Sequence, residues 1–197
     1  RAPVQGPEGD PIARDKGTPQ GGIVSPLLAN LFLHYVFDKW LQVHYSHVKW
    51  CRYADDGLVH CNSEAQARFL LRVIRQRFRE CGLELHPEKT KIVYCKDDRR
   101  RGTYRNTAFD FLGYTFRRRS CPDRRHNRLW LSFLPAVSTD ALKDMRQRIR
   151  KMRIRSRTAL SLEAIAAWVN PPLRGWLHYY GAFYRSEMYR LLRHLNK

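Results

Sequence analysis

Val48-Lys49-Trp50-Cys51-Arg52-Tyr53-Ala54-Asp55-Asp56-Gly57-Leu58-Val59-His60-Cys61 reads as two short strands around a tight turn, with two adjacent acids at the tip. Residues 48–53 and 57–61 are rich in strand formers, and a glycine closes the segment between them, a short-range hairpin signal. Two carboxylates side by side repel each other and raise one another's pKa. A divalent cation relieves that conflict, and hard oxygen ligands suit Mg²⁺. The pair is therefore either an ordinary exposed turn, for which Asp is a common residue, or half of a metal site.

On the N-terminal side, residues 1–16 are polar and punctuated by Gly6, Pro7, Gly9 and Pro11, and read as a loop or weak hairpin. Gly17-Thr18-Pro19-Gln20-Gly21-Gly22 follows, a segment able to take unusual backbone angles and let another molecule approach closely. Ser25 as N-cap and Pro26 as first helical residue open a helix running to about Val43, with Leu28, Leu31, Phe32 and Tyr35 expected to face a core. Beyond the hairpin, Ser63 and Gln66 fit a capping box. Ala67, Leu70, Leu71, Ile74 and Phe78 form the buried stripe of that helix, and Gly82 ends it.

Residues 83–85, 91–94, 109–116 and 129–134 read as strands, separated by basic polar loops at 96–107 and 117–128. The last third reads as helical. Residues 140–157 carry the apolar stripe Leu142, Met145, Ile149 and Met152, Asn170-Pro171-Pro172 interrupts the chain, and an aromatic-rich helix resumes from 173 to about 193. The fold class is α+β, an antiparallel sheet with helices on one face followed by a helical region.

The chain has 197 residues and a formal charge of +19. Residues 1–98 hold 14 Lys/Arg against 12 Asp/Glu, and residues 99–197 hold 23 against 6, so nearly all the excess lies in the second half. Such a concentration points to a polyanion, nucleic acid before an anionic membrane surface. No apolar run reaches membrane-spanning length and no signal-peptide pattern occurs, so the expected setting is cytoplasmic, with an organelle not excluded. The five cysteines are widely spaced with no Cys-x-x-Cys pair, which disfavours disulfides and zinc. The first residue is Arg1 in a turn-rich stretch, and a fragment of a longer protein is expected.

An acidic hairpin, a Gly-rich loop opening a helix and a basic helical tail together suggest metal-assisted phosphoryl transfer on nucleic acid. The chain resembles the group II intron reverse transcriptase/maturase family. Residues 17–30 (GTPQGGIVSPLLAN) resemble its fourth conserved block, Tyr53-Ala54-Asp55-Asp56 the acidic box, residues 82–91 (GLELHPEKTK) the sixth block and residues 111–116 (FLGYTF) the seventh. Residues 170–181 (NPPLRGWLHYYG) resemble the maturase-specific region. The match covers nearly the whole chain in order.

The resemblance implies a partial right-hand polymerase palm over residues 1–135 and a helical thumb/maturase domain over 136–197. Asp55 and Asp56 would be catalytic and bind two Mg²⁺ ions. Lys89 would assist the leaving pyrophosphate. Pro19, Gln20, Gly21 and Gly22 would line the nucleotide and template site, and Leu112, Gly113 and Tyr114 the primer grip. Arg146, Arg150, Arg153, Arg157, Arg174, His178 and Arg185 are the expected RNA contacts. The implied partners are intron RNA, an RNA template with its DNA primer, and deoxynucleoside triphosphates. The implied activity is RNA-directed DNA polymerisation together with a maturase role in splicing. A non-enzymatic RNA-binding splicing factor is the alternative, and a bacterial reverse transcriptase without maturase function is a third reading, disfavoured by residues 170–181.

One departure stands out. Palm polymerases use a further aspartate upstream of the Gly-rich block, and only Asp10 and Asp15 precede Gly17, both in a Pro/Gly-rich loop. Neither fits that role, so this stretch alone is expected not to polymerise.

Overall fold

The computed structural model describes residues 4–5, 11–12, 21–123 and 127–195. The chain divides into two compact units, residues 1–92 and 93–197.

In the first unit, β1 (Val4–Gln5) pairs antiparallel with β2 (Pro11–Ile12). Helix α1 (Ser25–Leu33) starts one residue earlier than expected, with Val24 rather than Ser25 at the N-cap and Pro26 in the first turn. It continues as a π-helical stretch (His34–Lys39) and then α2 (Trp40–His44). The hairpin is β3 (Trp50–Tyr53) against β4 (Asp56–Val59), followed by α3 (Glu64–Glu80).

The α3 N-terminus forms as read. Ser63 Oγ accepts from the Gln66 N–H, and the Gln66 side chain accepts from the Asn62 N–H at 2.7 Å. The first bond satisfies a donor the helix leaves open, and the second reaches one residue beyond the N-cap position that a capping box would engage. Phe37, Leu41, Val48, Leu70 and Ile74 make the core; of the expected α3 stripe, Leu70 and Ile74 are buried, while Ala67, Leu71 and Phe78 are half-buried, Phe78 packing against that core.

The expected core face of α1 is a correction. Leu28, Leu31, Phe32 and Tyr35 are all exposed, and the buried residues are Val36, Phe37 and Leu41. A π-turn has more residues per turn than an α-turn, so the buried face shifts where the π-helical stretch intervenes.

The second unit holds a three-stranded antiparallel sheet in the order β5 (Ala108–Phe111), β6 (Tyr114–Asp123) and β7 (Arg128–Val137). The segment 109–116, read as one strand, is two strands joined by a two-residue turn at Leu112-Gly113. The basic loop expected over 117–128 is mostly strand, because pairing with β7 carries β6 on to Asp123. Residues 83–85 and 91–94 form no strand. Leu85 packs on the first unit's core, while Tyr94 bonds the Asn106 carbonyl and packs against the Tyr104 ring. Among the described residues the strands thus form separate small sheets rather than one.

Helix α4 (Thr139–Met152) is capped by Ser138, whose Oγ accepts from the Ala141 N–H. It stops before 157 because Arg153 turns left-handed (φ 48°), and a short 3-10 helix follows at Ile154–Ser156. Helix α5 (Leu162–Tyr180) runs straight through Pro171 and Pro172, where the sequence suggests an interruption. The prolines deprive the carbonyls of Ala167 and Trp168 of their helical donors, and both residues are exposed to water. The chain breaks after Tyr180 instead, into a 3-10 helix (Arg185–Met188) and α6 (Tyr189–Leu195), so the helix expected from 173 to 193 is three pieces, the end of α5 and these two. Val137, Leu142, Met145, Ile149, Val169, Leu173, Met188 and Leu191 form this unit's core.

Candidate polymerase site and nucleic-acid interface

The acidic tip is built from the backbone outward. Tyr53 pairs with Asp56, so Ala54 and Asp55 are the two turn residues and Asp56 already belongs to β4. Gly57 is not in the turn. It lies opposite Arg52, where a Cβ would sit 3.4 Å from the Phe37 ring. The left-handed residue is Ala54, at φ 51°. A non-glycine residue pays about 1 kcal/mol for that conformation. Ala54→Gly is therefore expected to stabilise the first unit by about 0.5–1 kcal/mol in urea denaturation.

Arg52 holds this turn. Its Nη1 donates to the Ala54 carbonyl at 2.7 Å and to Asn30 Oδ1 at 2.9 Å. Its Nε and Nη2 donate to the two carboxylate oxygens of Asp38, at 2.8 and 2.7 Å. Asp38 is buried at 8% exposure, and His34 Nδ1 lies 3.3 Å from it. Burial alone would raise the Asp38 pKa, but bonding to Arg52 and His34 keeps it below the usual value. The helix that follows the Gly-rich segment and the acidic hairpin are thus locked together by one guanidinium.

Asp55 and Asp56 are both exposed, and neither side chain has an ion-pair partner among the described residues. Two hard oxygen donors free of counter-charge suit a divalent cation in kind. They do not complete a cage: among the described residues no three His, Cys, Asp or Glu side chains come together as a metal site.

Gly21 (φ 85°) and Gly22 lead into α1, with open space where a Gly21 Cβ would stand. Pro19 and Gln20 lie outside the described residues, as do Asp10 and Asp15. Lys89 is exposed in a turn, its N–H 3.3 Å from His86 Nδ1.

The Leu112-Gly113 turn is anchored in the second unit. Both residues have positive φ, 52° and 77°. Tyr179 donates its hydroxyl to the Leu112 carbonyl at 3.1 Å, the Ser138 N–H donates to the Gly113 carbonyl at 2.8 Å, and the Tyr114 hydroxyl donates to the Tyr179 carbonyl. Tyr114 packs among Tyr179, Tyr180 and Phe183. A Cβ on Gly113 would lie 2.7 Å from the Tyr180 hydroxyl. Gly113→Ala is therefore expected to cost about 2 kcal/mol, from strain and collision together, read as a lowered denaturation midpoint.

The expected RNA-contacting cations divide. Arg146 and Arg150 lie on α4, Arg146 partly covered and Arg150 exposed. Arg153 and Arg157 lie beyond the helix, and Arg157 is engaged, over the Trp168 ring at 4.7 Å and bonded to the Met152 carbonyl. Arg174, His178 and Arg185 are exposed on or just after α5.

Sequence reasoning missed two arginine–acid clusters. One is Arg52–Asp38. The other is Arg119, which is 6% exposed and donates to Glu187 at 3.2 Å and to the carbonyls of Leu134 and Thr115, with its guanidinium over Tyr184. Burial lowers the Arg119 pKa, and Glu187 opposes the shift. An acid beside Val36 and Phe37 in an otherwise apolar helix was the available signal for the first. For the second, the unbroken run Arg117-Arg118-Arg119 signals only excess charge, and nothing in the sequence singles out Arg119.

Residues 3–116 match the family model for reverse transcriptase (RNA-dependent DNA polymerase), and residues 142–197 match the group II intron maturase-specific domain. No curated protein shows a significant match. The fold is α+β, and the family-model match places the chain among RNA-dependent DNA polymerases. The chain belongs to the reverse transcriptase family and carries the maturase-specific domain of group II intron proteins. Its function is that of a group II intron reverse transcriptase/maturase, and its partners are nucleic acids. Among the described residues no helix is long and apolar enough to cross a membrane.

Proposed function

We propose that residues 1–135 are the later part of a right-hand palm, that 136–197 are a helical thumb/maturase domain, and that Asp55 and Asp56 are catalytic carboxylates for copying RNA into DNA. The observation that carries this is the hairpin tip, where two exposed acids, with no ion-pair partner among the described residues, are presented by a backbone fixed through Arg52. The exposed apolar stripe of α1 offers surface on which the rest of a palm packs.

Asp55 and Asp56 would hold Mg²⁺, with a third carboxylate from an earlier palm strand. When bound, the cations stabilise charge on the attacking and leaving oxygens. Gly21 and Gly22, with Pro19 and Gln20, give the nucleotide and template close access to backbone. Lys89, exposed in its turn, offers a positive charge to the departing pyrophosphate. The Leu112-Gly113-Tyr114 turn, tied by Tyr179 and Ser138, presents a rigid edge to the primer strand. The substrates are deoxynucleoside triphosphates. RNA-templated primer extension by the complete protein tests the reading: wild type extends and Asp55→Asn does not. A purely RNA-binding role gains no support from a tip that keeps both acids.

For the RNA surface, Arg146, Arg150, Arg153 and Arg157 are proposed to track phosphates together with Arg174, His178 and Arg185. Replacing the first four by Gln is expected to reduce the slope of log K against log salt by about 0.7 per lost contact on single-stranded RNA, so by about 2–3. An unchanged slope in filter binding contradicts the assignment.

A further inference from the structure

We infer that Arg52 is a positioning residue for the acidic tip, setting the Ala54 backbone so that the carboxylates of Asp55 and Asp56 meet their cation in a ready geometry. The inference rests on the proposed metal role of those acids.

The geometry separates two jobs of one side chain. A buried carboxylate needs a paired cation, and the fork of Nε and Nη2 on Asp38 meets that need alone. Nη1 is left over. It bridges Asn30 Oδ1 and the Ala54 carbonyl, whose residue holds a left-handed φ and immediately precedes Asp55. An exposed two-residue turn with a non-glycine residue at positive φ otherwise relaxes toward commoner angles and carries its acids with it. The anchor is rigid: Asp38 is buried beside Phe37 and Leu41, which sit in the core that also receives Val48 and Leu70.

Lysine keeps the charge opposite Asp38 but has no planar fork. It cannot serve both carboxylate oxygens, Asn30 and the Ala54 carbonyl together. Groups that orient metal-binding side chains, without binding the metal, typically change affinity by about 10–100-fold when lost.

The test is a titration of this chain with Tb³⁺, an oxygen-seeking cation whose emission is sensitised by nearby aromatic rings. Trp50 and Tyr53 lie on the strand that leads to the tip. Circular dichroism confirms that each variant is folded at the working temperature. Wild type is expected to show emission that the double variant Asp55→Asn/Asp56→Asn abolishes, and Arg52→Lys to weaken Tb³⁺ affinity about 10-fold. Asn30→Ala, at an exposed position that does not endanger folding, is expected to weaken it about threefold through the loosened guanidinium. Equal affinity in wild type, Arg52→Lys and Asn30→Ala overturns the inference and leaves the metal site standing. Emission in wild type that survives loss of both acids overturns the metal role itself, and the positioning role with it.

Discussion

Replacing Glu187 by leucine is expected to lower the stability of the second unit by about 3 kcal/mol, because it strands a buried cation. Arg119 has a side chain only 4% exposed and faces Glu187 at 3.2 Å, with Arg190 at 3.2 Å and Arg117 at 3.8 Å on the same carboxylate. Removing the acid leaves three guanidinium groups facing one another and one of them out of water. For a unit of this size the loss corresponds to a fall in melting temperature of more than about 10 °C. The exposed pair Arg68–Glu64 is the control. It is shorter, at 2.6 Å, yet Glu64→Ala is expected to cost less than about 0.5 kcal/mol, since water already screens those charges. Denaturant melts of both variants decide it. Similar small losses would show that Glu187 is not the counter-charge of the buried arginine.

Asp55→Asn is expected to reduce RNA-templated extension by at least about 10³-fold, since a preorganised charge at a phosphoryl-transfer centre contributes several kcal/mol to the transition state. The substitution is nearly isosteric at an exposed position, so folding should change by no more than about 0.5 kcal/mol. RNA affinity should hold, because the acid contributes no phosphate contact. Single-turnover extension measured beside an RNA-binding isotherm separates the two effects. A parallel loss of binding and extension would assign Asp55 a structural role instead.

Local chemistry was legible where the residues decide it alone. Ser63 with Gln66, and the Leu70–Ile74 stripe, give α3 both its start and its buried face, and the structure keeps both. The hairpin was legible in kind, but its turn was placed one residue late, because Gly57 suggests a turn glycine while the Tyr53–Asp56 pairing puts the left-handed residue at Ala54. Gly57 is small for a different reason, the nearby Phe37 ring. Tertiary effects account for the rest. Arg117 to Pro122 look like loop in isolation and become strand because residues 129–134 pair with them. Pro171 and Pro172 look like a break, yet α5 continues because Val169 and Leu173 bury one face and the residues whose carbonyls lose a donor, Ala167 and Trp168, are exposed. Spacing alone marks the α1 stripe as core, and spacing cannot show which face the π-helical stretch turns inward. At the candidate site, Asp55 and Asp56 could be named from sequence. Arg52 could not, because its role depends on Asp38 and Asn30, 14 and 22 residues away.

RNA-templated DNA synthesis by the complete protein that contains this chain tests the central reading most directly. Given an RNA template, a DNA primer, deoxynucleoside triphosphates and Mg²⁺, the predicted result is primer extension that stops when the cation is chelated and is absent in Asp55→Asn. Tight RNA binding without any extension by the wild type, under conditions where the folded protein is verified, would contradict it.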